Sequence, residues 1–141
     1  MPTRIPFSAR WRTGLIDALA RRSATTGIAK SRLAERYVEE GLRADAHPGI
    51  VFRGGPAGRR AALAAGPDVW EVIAAMRGAD VKGQEAVASC AKALNLTELE
   101  VRTALRYYGD NPEEIDERIR RNVEEADAAE AAWRREQAAL A

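Results

Sequence analysis

The fold of this chain is decided by residues 4–43, which read RIPFSARWRTGLIDALARRSATTGIAKSRLAERYVEEGLR. In the first seven of these residues, Ile5, Phe7 and Ala9 alternate with proline or polar residues. This period of two is expected of a strand with one buried face. Two stretches with helical spacing follow and meet at Thr26-Gly27. The segment is therefore predicted to form one short strand and two helices.

The predicted strand has no second strand near it in the sequence. A lone strand leaves its backbone donors and acceptors unpaired, so the simplest partner is the same strand of a second copy of the chain. Two such strands form a ribbon that fits a DNA major groove, with Arg4, Ser8 and Arg10 of each chain on its outer face. Pro6 cannot donate to a ladder, and its place leaves the register open by one residue. The pattern predicts a dimeric DNA-binding protein.

From Arg4 to about Arg43 the segment resembles the ribbon-helix-helix (MetJ/Arc) repressors. The matching features are the alternating strand, a first helix with Leu15, Ile16 and Leu19 inward, the Gly27 turn, and a second helix that opens near Lys30-Ser31. The resemblance implies that strand side chains read base edges and that the N-terminus of the second helix binds a backbone phosphate. The implied readers are Arg4, Ser8 and Arg10, and the implied phosphate site comprises Ala29, Lys30 and Ser31.

Composition limits the remaining possibilities. The 141 residues suit one or two small domains, and the hydrophobic fraction of 46% includes few aromatic residues (6% of the chain). A core this thin often needs a partner chain. No apolar run approaches 18 residues and the N-terminus lacks an apolar signal core, so we expect no membrane span. The single cysteine, Cys90, excludes an intrachain disulfide and favours the cytoplasm.

Catalytic and metal-binding residues are scarce. With His47 as the only histidine and Cys90 as the only cysteine, one chain cannot build a His/Cys nucleophilic pair or a multi-ligand zinc cluster. We therefore expect no enzyme, no metal and no cofactor. His47 precedes Pro48 at a predicted helix end and is interpreted as a loop residue, with a ligand or catalytic role as the alternative.

The net charge of +1 hides a strong asymmetry. Residues 1–34 hold seven Arg or Lys against one acid, whereas residues 111–141 hold five Arg against nine acids. A basic head and an acidic tail suit a protein that holds phosphates at one end and a basic partner at the other. The alternative for the tail is a solvated surface.

Residues 49–110 read as a hairpin followed by helices. Ile50-Val51-Phe52 and residues 59–64 are strand-like and flank a Gly-rich turn. That turn lacks the Walker spacing and a Lys-Ser/Thr ending, so a nucleotide loop is disfavoured. Pro67 is predicted to open a helix that Gly78 closes. Its apolar stripe is Val69, Val72, Ile73 and Met76, and Trp70 lies off that stripe, where it would cover a neighbouring element.

Residues 87–105 have helix-turn-helix spacing. Ala91 is small where two helices would touch, Asn95 suits a left-handed turn, and Thr97 to Glu100 form a capping box. Two alternatives remain for this unit: a packing module, or a DNA reader opposed by two acids at its second helix. The predicted outward side chains are Glu98, Arg102, Thr103 and Arg106.

Residues 47–119 resemble a small helix-turn-helix family, long catalogued as a domain of unknown function, that occurs in VapB-type antitoxins. The matching residues are His47-Pro48-Gly49-Ile50, Gly54-Gly55-Pro56 with Arg59-Arg60, the Pro67–Met76 helix, Leu96-Thr97 through Tyr107-Tyr108, and Asn111-Pro112-Glu113-Glu114-Ile115. The hairpin departs from the family pattern at residues 57–61, so any role of the family's hairpin does not transfer to it.

The last segment begins with Asn111 as N-cap and Pro112 at the first helical position. Nothing in the sequence breaks this helix before its end, and Ile115, Ile119 and Val123 continue a packed stripe. Trp133 then stands alone among charged and small residues. It is interpreted either as an anchor for a partner's pocket or as a residue that is solvated or covers a second copy.

The sequence predicts a mainly α protein with three segments. These are a ribbon-helix-helix dimerisation and DNA-binding segment (1–45), a β-hairpin and helix-turn-helix domain (46–110), and a long C-terminal helix (111–141). We expect a homodimer or a higher even oligomer. Predicted DNA contacts are Arg4, Ser8, Arg10, Lys30, Ser31, Arg102 and Arg106, and predicted partner contacts are Trp133, Arg134, Arg135 and Leu140.

Three functions are weighed. The first is the antitoxin of a type II toxin-antitoxin pair, which also represses its own operon by binding operator DNA. The resemblance implies that the toxin is a PIN-domain ribonuclease. An Arg from the tail (Arg134 or Arg135) would block the acidic site of that toxin. The second is a stand-alone dimeric transcriptional regulator with no toxin. The third, an enzyme, is disfavoured because no nucleophile–base pair or metal cluster is present in the sequence.

Overall fold

Helices form most of the chain. The computed structural model describes residues 3–55 and 58–141, and it is mainly helical with one small antiparallel sheet, which confirms the predicted class. The chain divides into two compact units, Met1–Arg43 and Ala44–Ala141. The C-terminal helix belongs to the second unit, although the sequence suggested a separate segment. The elements are α1 (Thr13–Thr26), α2 (Lys30–Ala46), β1 (Ile50–Arg53), β2 (Arg60–Leu63), α3 (Val69–Arg77), α4 (Gly83–Leu94), α5 (Glu98–Asp110) and α6 (Pro112–Leu140).

The turn between α1 and α2 is built around a left-handed residue. Gly27 has φ of 72°, a conformation in which glycine carries no side-chain penalty, and its N–H donates to the Ser23 carbonyl. The Ser23 hydroxyl donates to the Ile28 carbonyl at 2.7 Å, and the Ile28 N–H donates to the Thr26 hydroxyl at 3.3 Å. These bonds confirm the predicted Gly27 turn and the start of α2 at Lys30.

The predicted N-terminal strand is not formed within a single chain. Residues 3–12 lie in neither a helix nor a strand, and Ile5 and Phe7 are 81% and 89% exposed. The physical reason is that a strand needs a partner, and the predicted partner is a second copy. Leu15 and Ile16, predicted to face inward, are likewise exposed in one chain. Pairing of two strands stays a prediction.

The predicted hairpin is confirmed. β1 and β2 pair antiparallel, with Ile50 opposite Leu63 and Arg53 opposite Arg60. Of the predicted turn, Pro56 and Ala57 lie outside the described residues. The Arg53 guanidinium donates to the carbonyls of Leu63, Ala64 and Gly66, and thereby fixes the connection from β2 to α3.

The third helix starts two residues later than predicted. Asp68 is its N-cap and Glu71 completes a capping box by accepting the Asp68 N–H at 2.8 Å, so α3 begins at Val69 and Pro67 precedes the cap. Gly78 ends the helix as expected. Val69, Val72 and Ile73 are buried, which confirms the predicted apolar stripe.

The core of the second unit is shared by the hairpin and α3 to α6. Asn95, with φ of 54°, makes the predicted left-handed turn between α4 and α5, and the Thr97 hydroxyl accepts the Glu100 N–H at 3.1 Å. The helix-turn-helix spacing is thereby confirmed. The buried core comprises Ile50, Ala61, Leu63, Val69, Val72, Ile73, Val87, Cys90, Ala91, Val101, Ala104, Tyr107 and Ile115.

Only the first turns of α6 pack on this core. Ile115 is buried and Ile119 packs against the core, but Val123 is 53% exposed, so the predicted packed stripe ends one step early. From residue 123 to residue 140 the helix is exposed on all sides. Its tertiary support therefore comes from its N-terminal third.

Candidate nucleic-acid and partner-binding surfaces

A surface groove lies at the N-terminus of α2, where the phosphate site is predicted. It has a volume of about 610 Å³ and is lined by Gly27, Ile28 and Ala29, by three cations (Arg4, Arg32 and Arg36) and by two carboxylates (Glu35 and Glu39). Lys30 and Ser31 are exposed in the first turn of α2, and that turn contains no acidic residue. The exposed N–H groups and dipole of a helix start suit a phosphate.

Arg4 is placed differently from the other predicted base readers. Its guanidinium donates to the Glu35 carboxylate at 3.0 Å, so in one chain it pairs with α2 beside the groove. Ser8 and Arg10 are exposed in the segment that precedes α1. The single chain therefore does not place the three readers together, and a ribbon would require Arg4 to leave Glu35.

The first unit exposes an extensive apolar surface, called here the N-terminal apolar face. Leu33 is the one buried residue in the described part of this unit. Its other large apolar side chains remain accessible, although helical spacing predicted several of them to be inward. The face is defined as the exposed large apolar side chains of this unit, which are Ile5, Phe7, Trp11, Leu15, Ile16, Tyr37, Val38 and Leu42.

The outer surface of the helix-turn-helix carries both charges. Arg102 donates to the side-chain oxygen of Gln84, whose amide nitrogen donates to Glu98 at 2.8 Å. Arg106 is exposed one turn further along α5. Glu98 and Glu100 lie in the first turn of α5, where they oppose a phosphate. The outward placement agrees with the sequence prediction, and DNA contact by Arg102 and Arg106 stays untested.

The predicted partner-binding residues lie on the exposed part of α6. Trp133 is 59% exposed and Leu140 is 75% exposed. Arg134 donates to the Glu130 carboxylate one turn earlier at 2.5 Å, whereas Arg135 makes no ion pair with any residue that the structure describes. The structure thus distinguishes the two arginines that the sequence left equivalent.

A second cleft was not predicted from the sequence. It has a volume of about 250 Å³ and lies between β2, α3 and the first turns of α6. We call it the arginine cleft, because Arg59, Arg60, Arg118 and Arg121 line it together with Trp70. The only sequence signal was that Arg118 and Arg121 are three residues apart on one helix face.

Two polar contacts join elements within the second unit. The His47 Nε2 atom lies 3.0 Å from the Asp110 carboxylate, and the buried imidazole packs edge-on against Tyr107. This agrees with the loop interpretation of His47. Arg77 bonds to Asp116, and this hydrogen bond lowers the pKa of the Asp116 carboxyl.

The lone cysteine is shielded. Cys90 is buried in the core, and the loss of solvation raises the pKa of its thiol. Across residues 3–55 and 58–141, no three His, Cys, Asp or Glu side chains are grouped so as to hold a metal ion. No helix in that part of the chain has the length and apolar character needed to cross a membrane.

Comparison with known proteins gives no relative: no family model, no curated protein and no solved structure matches this chain.

Proposed function

We propose that this protein is the antitoxin of a type II toxin-antitoxin pair. It dimerises through its N-terminal unit, binds operator DNA as an autorepressor, and neutralises a PIN-domain ribonuclease with the exposed part of α6. The N-terminal apolar face is the observation that supports the proposal most strongly. It lies on the same unit as the basic residues of the predicted DNA site.

The apolar face supports a dimer because the first unit has almost no core of its own. Two helices that bury only Leu33 cannot offset the entropy of folding within the unit. A second copy would cover Leu15, Ile16 and Val38, and the pairing of residues 4–10 would satisfy their backbone groups. Folding and dimerisation of this unit are then one event.

The charge distribution supports DNA as the ligand of the dimer. The start of α2 is free of acids and presents Lys30 and Ser31 beside Arg32. A dimer presents this arrangement twice, so that each half contacts a phosphate while the ribbon carries Ser8 and Arg10 to the bases. The affinity for DNA should then fall steeply as the salt concentration rises.

The exposed end of α6 supports a protein partner. Trp133 is a tryptophan, a residue type that often contributes most of the binding energy at protein interfaces. It lies on a part of α6 that is exposed on all sides in the described chain. Arg135 is proposed as the arginine that enters an acidic, metal-binding site, since it has no ion pair among the described residues, whereas Arg134 bonds to Glu130. The identity of the toxin as a PIN-domain ribonuclease rests on the antitoxin resemblance.

A specific observation favours the alternative, a stand-alone dimeric regulator. Apolar residues recur every seven positions along α6, at Ile119, Ala126, Trp133 and Leu140. Helices that pair with each other carry apolar residues at two positions of each seven, and α6 supplies one of the two, because the positions three residues further on are Asn122, Ala129 and Glu136. In that case α6 would extend the dimer rather than bind a toxin.

The test is a pull-down of the tagged full-length protein from its own host at native expression, with mass identification of what is recovered. Stoichiometric recovery of one small protein that is toxic when expressed alone supports the antitoxin. Recovery of only the protein itself with DNA supports the stand-alone regulator, and α6 would then belong to the dimer. Recovery as a monomer without DNA contradicts both.

A further inference from the structure

We propose that the arginine cleft of the second unit binds a phosphate group, with Arg118 as its principal ligand and Arg121 as its second. The site uses none of the residues predicted to contact the operator and none from the exposed end of α6. It therefore goes beyond the proposed function and does not depend on it.

One wall of the cleft is held rigid before any ligand binds. The Arg60 guanidinium donates to the Asp68 carboxylate at 2.5 Å, and the Trp70 indole N–H donates to the same oxygen at 3.2 Å. Asp68 is itself fixed as the N-cap of α3. Trp70 is thereby oriented as a flat surface on which a guanidinium can lie.

Arg118 lies on that surface and lacks a hydrogen-bond acceptor. Its guanidinium carbon is 5.6 Å from the centre of the Trp70 ring. Its Nε atom is buried and has no hydrogen-bond partner within the described residues, and no ion pair there involves its side chain. A buried N–H without an acceptor is uncommon in folded proteins, because no hydrogen bond compensates for the lost bond to water. A ligand oxygen in the cleft would satisfy it.

The charge of the cleft favours an anion. Four arginines line it against two glutamates, Glu114 and Glu117. Both carboxylates already have donors: Tyr107 donates to Glu114 at 2.7 Å, and the Glu117 carboxylate accepts bonds from Arg120 and Arg121. The positive charge without a carboxylate partner among the described residues is therefore that of Arg118. Arg121, one turn along the same helix, bonds to Glu117 through its Nε atom, so only its terminal nitrogens can reach a ligand.

The size and chemistry of the cleft point to phosphate. A volume of about 250 Å³ admits a phosphate with a small attached group and is too small for a helix or a folded strand. Guanidinium groups bind phosphate oxygens bidentately, and the side chains of Arg118 and Arg121 together can serve several acceptor oxygens of a tetrahedral anion. The phosphate can come from a free phosphate compound or from a DNA backbone, and these two sources can be distinguished.

The experiment is calorimetric titration of the full-length protein with inorganic phosphate at constant ionic strength. The Arg118→Gln variant removes the charge and shortens the side chain while keeping it polar. The matched control, Arg135→Gln, makes the same charge change on the exposed part of α6. We expect the wild type and Arg135→Gln to bind phosphate equally, and Arg118→Gln to lose at least about tenfold in affinity.

A wild-type protein that shows no saturable binding at millimolar phosphate overturns the proposal, as does an equal loss in Arg118→Gln and Arg135→Gln. Should Arg118→Gln fail to fold by circular dichroism, Arg121→Gln decides in the same way: weakened phosphate binding supports the site, and wild-type affinity overturns it. A short DNA duplex that displaces phosphate from the wild type identifies a backbone phosphate as the occupant. A duplex that leaves phosphate in place identifies a free phosphate compound.

Discussion

The phenol of Tyr107 donates a hydrogen bond to the carboxylate of Glu114 at 2.7 Å, although the tyrosine as a whole is fully buried. The bond joins α5 to the first turn of α6. The ring packs edge-on against His47 and Phe52, with centroid distances of 5.1 Å and 6.3 Å. One side chain therefore connects the loop after α2, the hairpin and the base of the C-terminal helix.

Replacing Tyr107 by Phe should destabilise the second unit by about 1.5–3 kcal/mol, because a hydrogen bond to a charged group is lost while the ring is kept. Replacing it by Ala should cost about 3–5 kcal/mol through the cavity that remains. Urea unfolding followed by circular dichroism measures both. Leu140→Ala, at the exposed end of α6, is the control and should change little. A Phe variant as stable as the wild type would mean that the Glu114 bond contributes nothing.

Placing charge on the N-terminal apolar face should separate the dimer. Val38→Glu with Leu42→Glu puts two carboxylates on the exposed side of α2, where a second copy is proposed to pack. We expect a monomer in sedimentation experiments, with loss of operator binding. Leu99→Glu, at an exposed leucine on α5, is the matched control and should remain dimeric. A dimer that survives the double substitution would place the interface elsewhere.

The two kinds of predicted DNA contact should behave differently. Ser8→Ala with Arg10→Ala should reduce the preference for the operator over unrelated DNA. Lys30→Ala should weaken all DNA about equally and lower the salt slope by about one, because a single phosphate contact is removed. Gel-shift titrations across salt concentrations measure both effects, with Lys92→Ala on α4 as the control for lost charge. Unchanged operator affinity in the strand double variant would remove the ribbon assignment.

The two tail arginines should not be equivalent. Arg135→Ala should abolish protection from the toxin, and Arg134→Ala should retain most of it, because Arg134 is already paired with Glu130. Truncation after Val123 should abolish protection and leave operator binding intact. Growth rescue in cells that express the toxin is the readout. Equal loss in the two single variants would show that the Glu130 pair does not hold in the complex.

The free energy of unfolding of the second unit should depend on pH through the protonation of Asp116. The Arg77 hydrogen bond lowers the pKa of this carboxyl from its ordinary value of 3.8, so its stabilising effect is fully present above that pH and is lost as pH falls through the lowered value. The difference in unfolding free energy between the wild type and Arg77→Gln should therefore shrink as pH is lowered through this range. Arg135→Gln should show no such convergence. A difference that is constant with pH would assign the effect of Arg77 to packing.

Local signals in the sequence were sufficient for the turn of the first unit and for most elements of the second unit. The Gly27 and Asn95 turns, the hairpin, and the start of α6 at Pro112 all follow from the backbone preferences of single residues. The start of α3 was placed too early because Pro67 and Asp68 are both helix-start signals. The Asp68 N–H donates to the Glu71 side chain, and this bond fixes the boundary one residue after Asp68, at Val69.

The sequence by itself determined the helical class, the order of the elements and which faces are apolar, because these depend on periodicity and on single-residue turn chemistry. Only the tertiary structure decided which polar groups meet. Arg118 and Trp70 are 48 positions apart in the chain, and no local pattern could report that they share a cleft or that Tyr107 reaches Glu114 from within the core. The alternating pattern of residues 4–10 is local, but a single chain forms no strand there, and the second copy that would have to supply the hydrogen bonds stays a prediction.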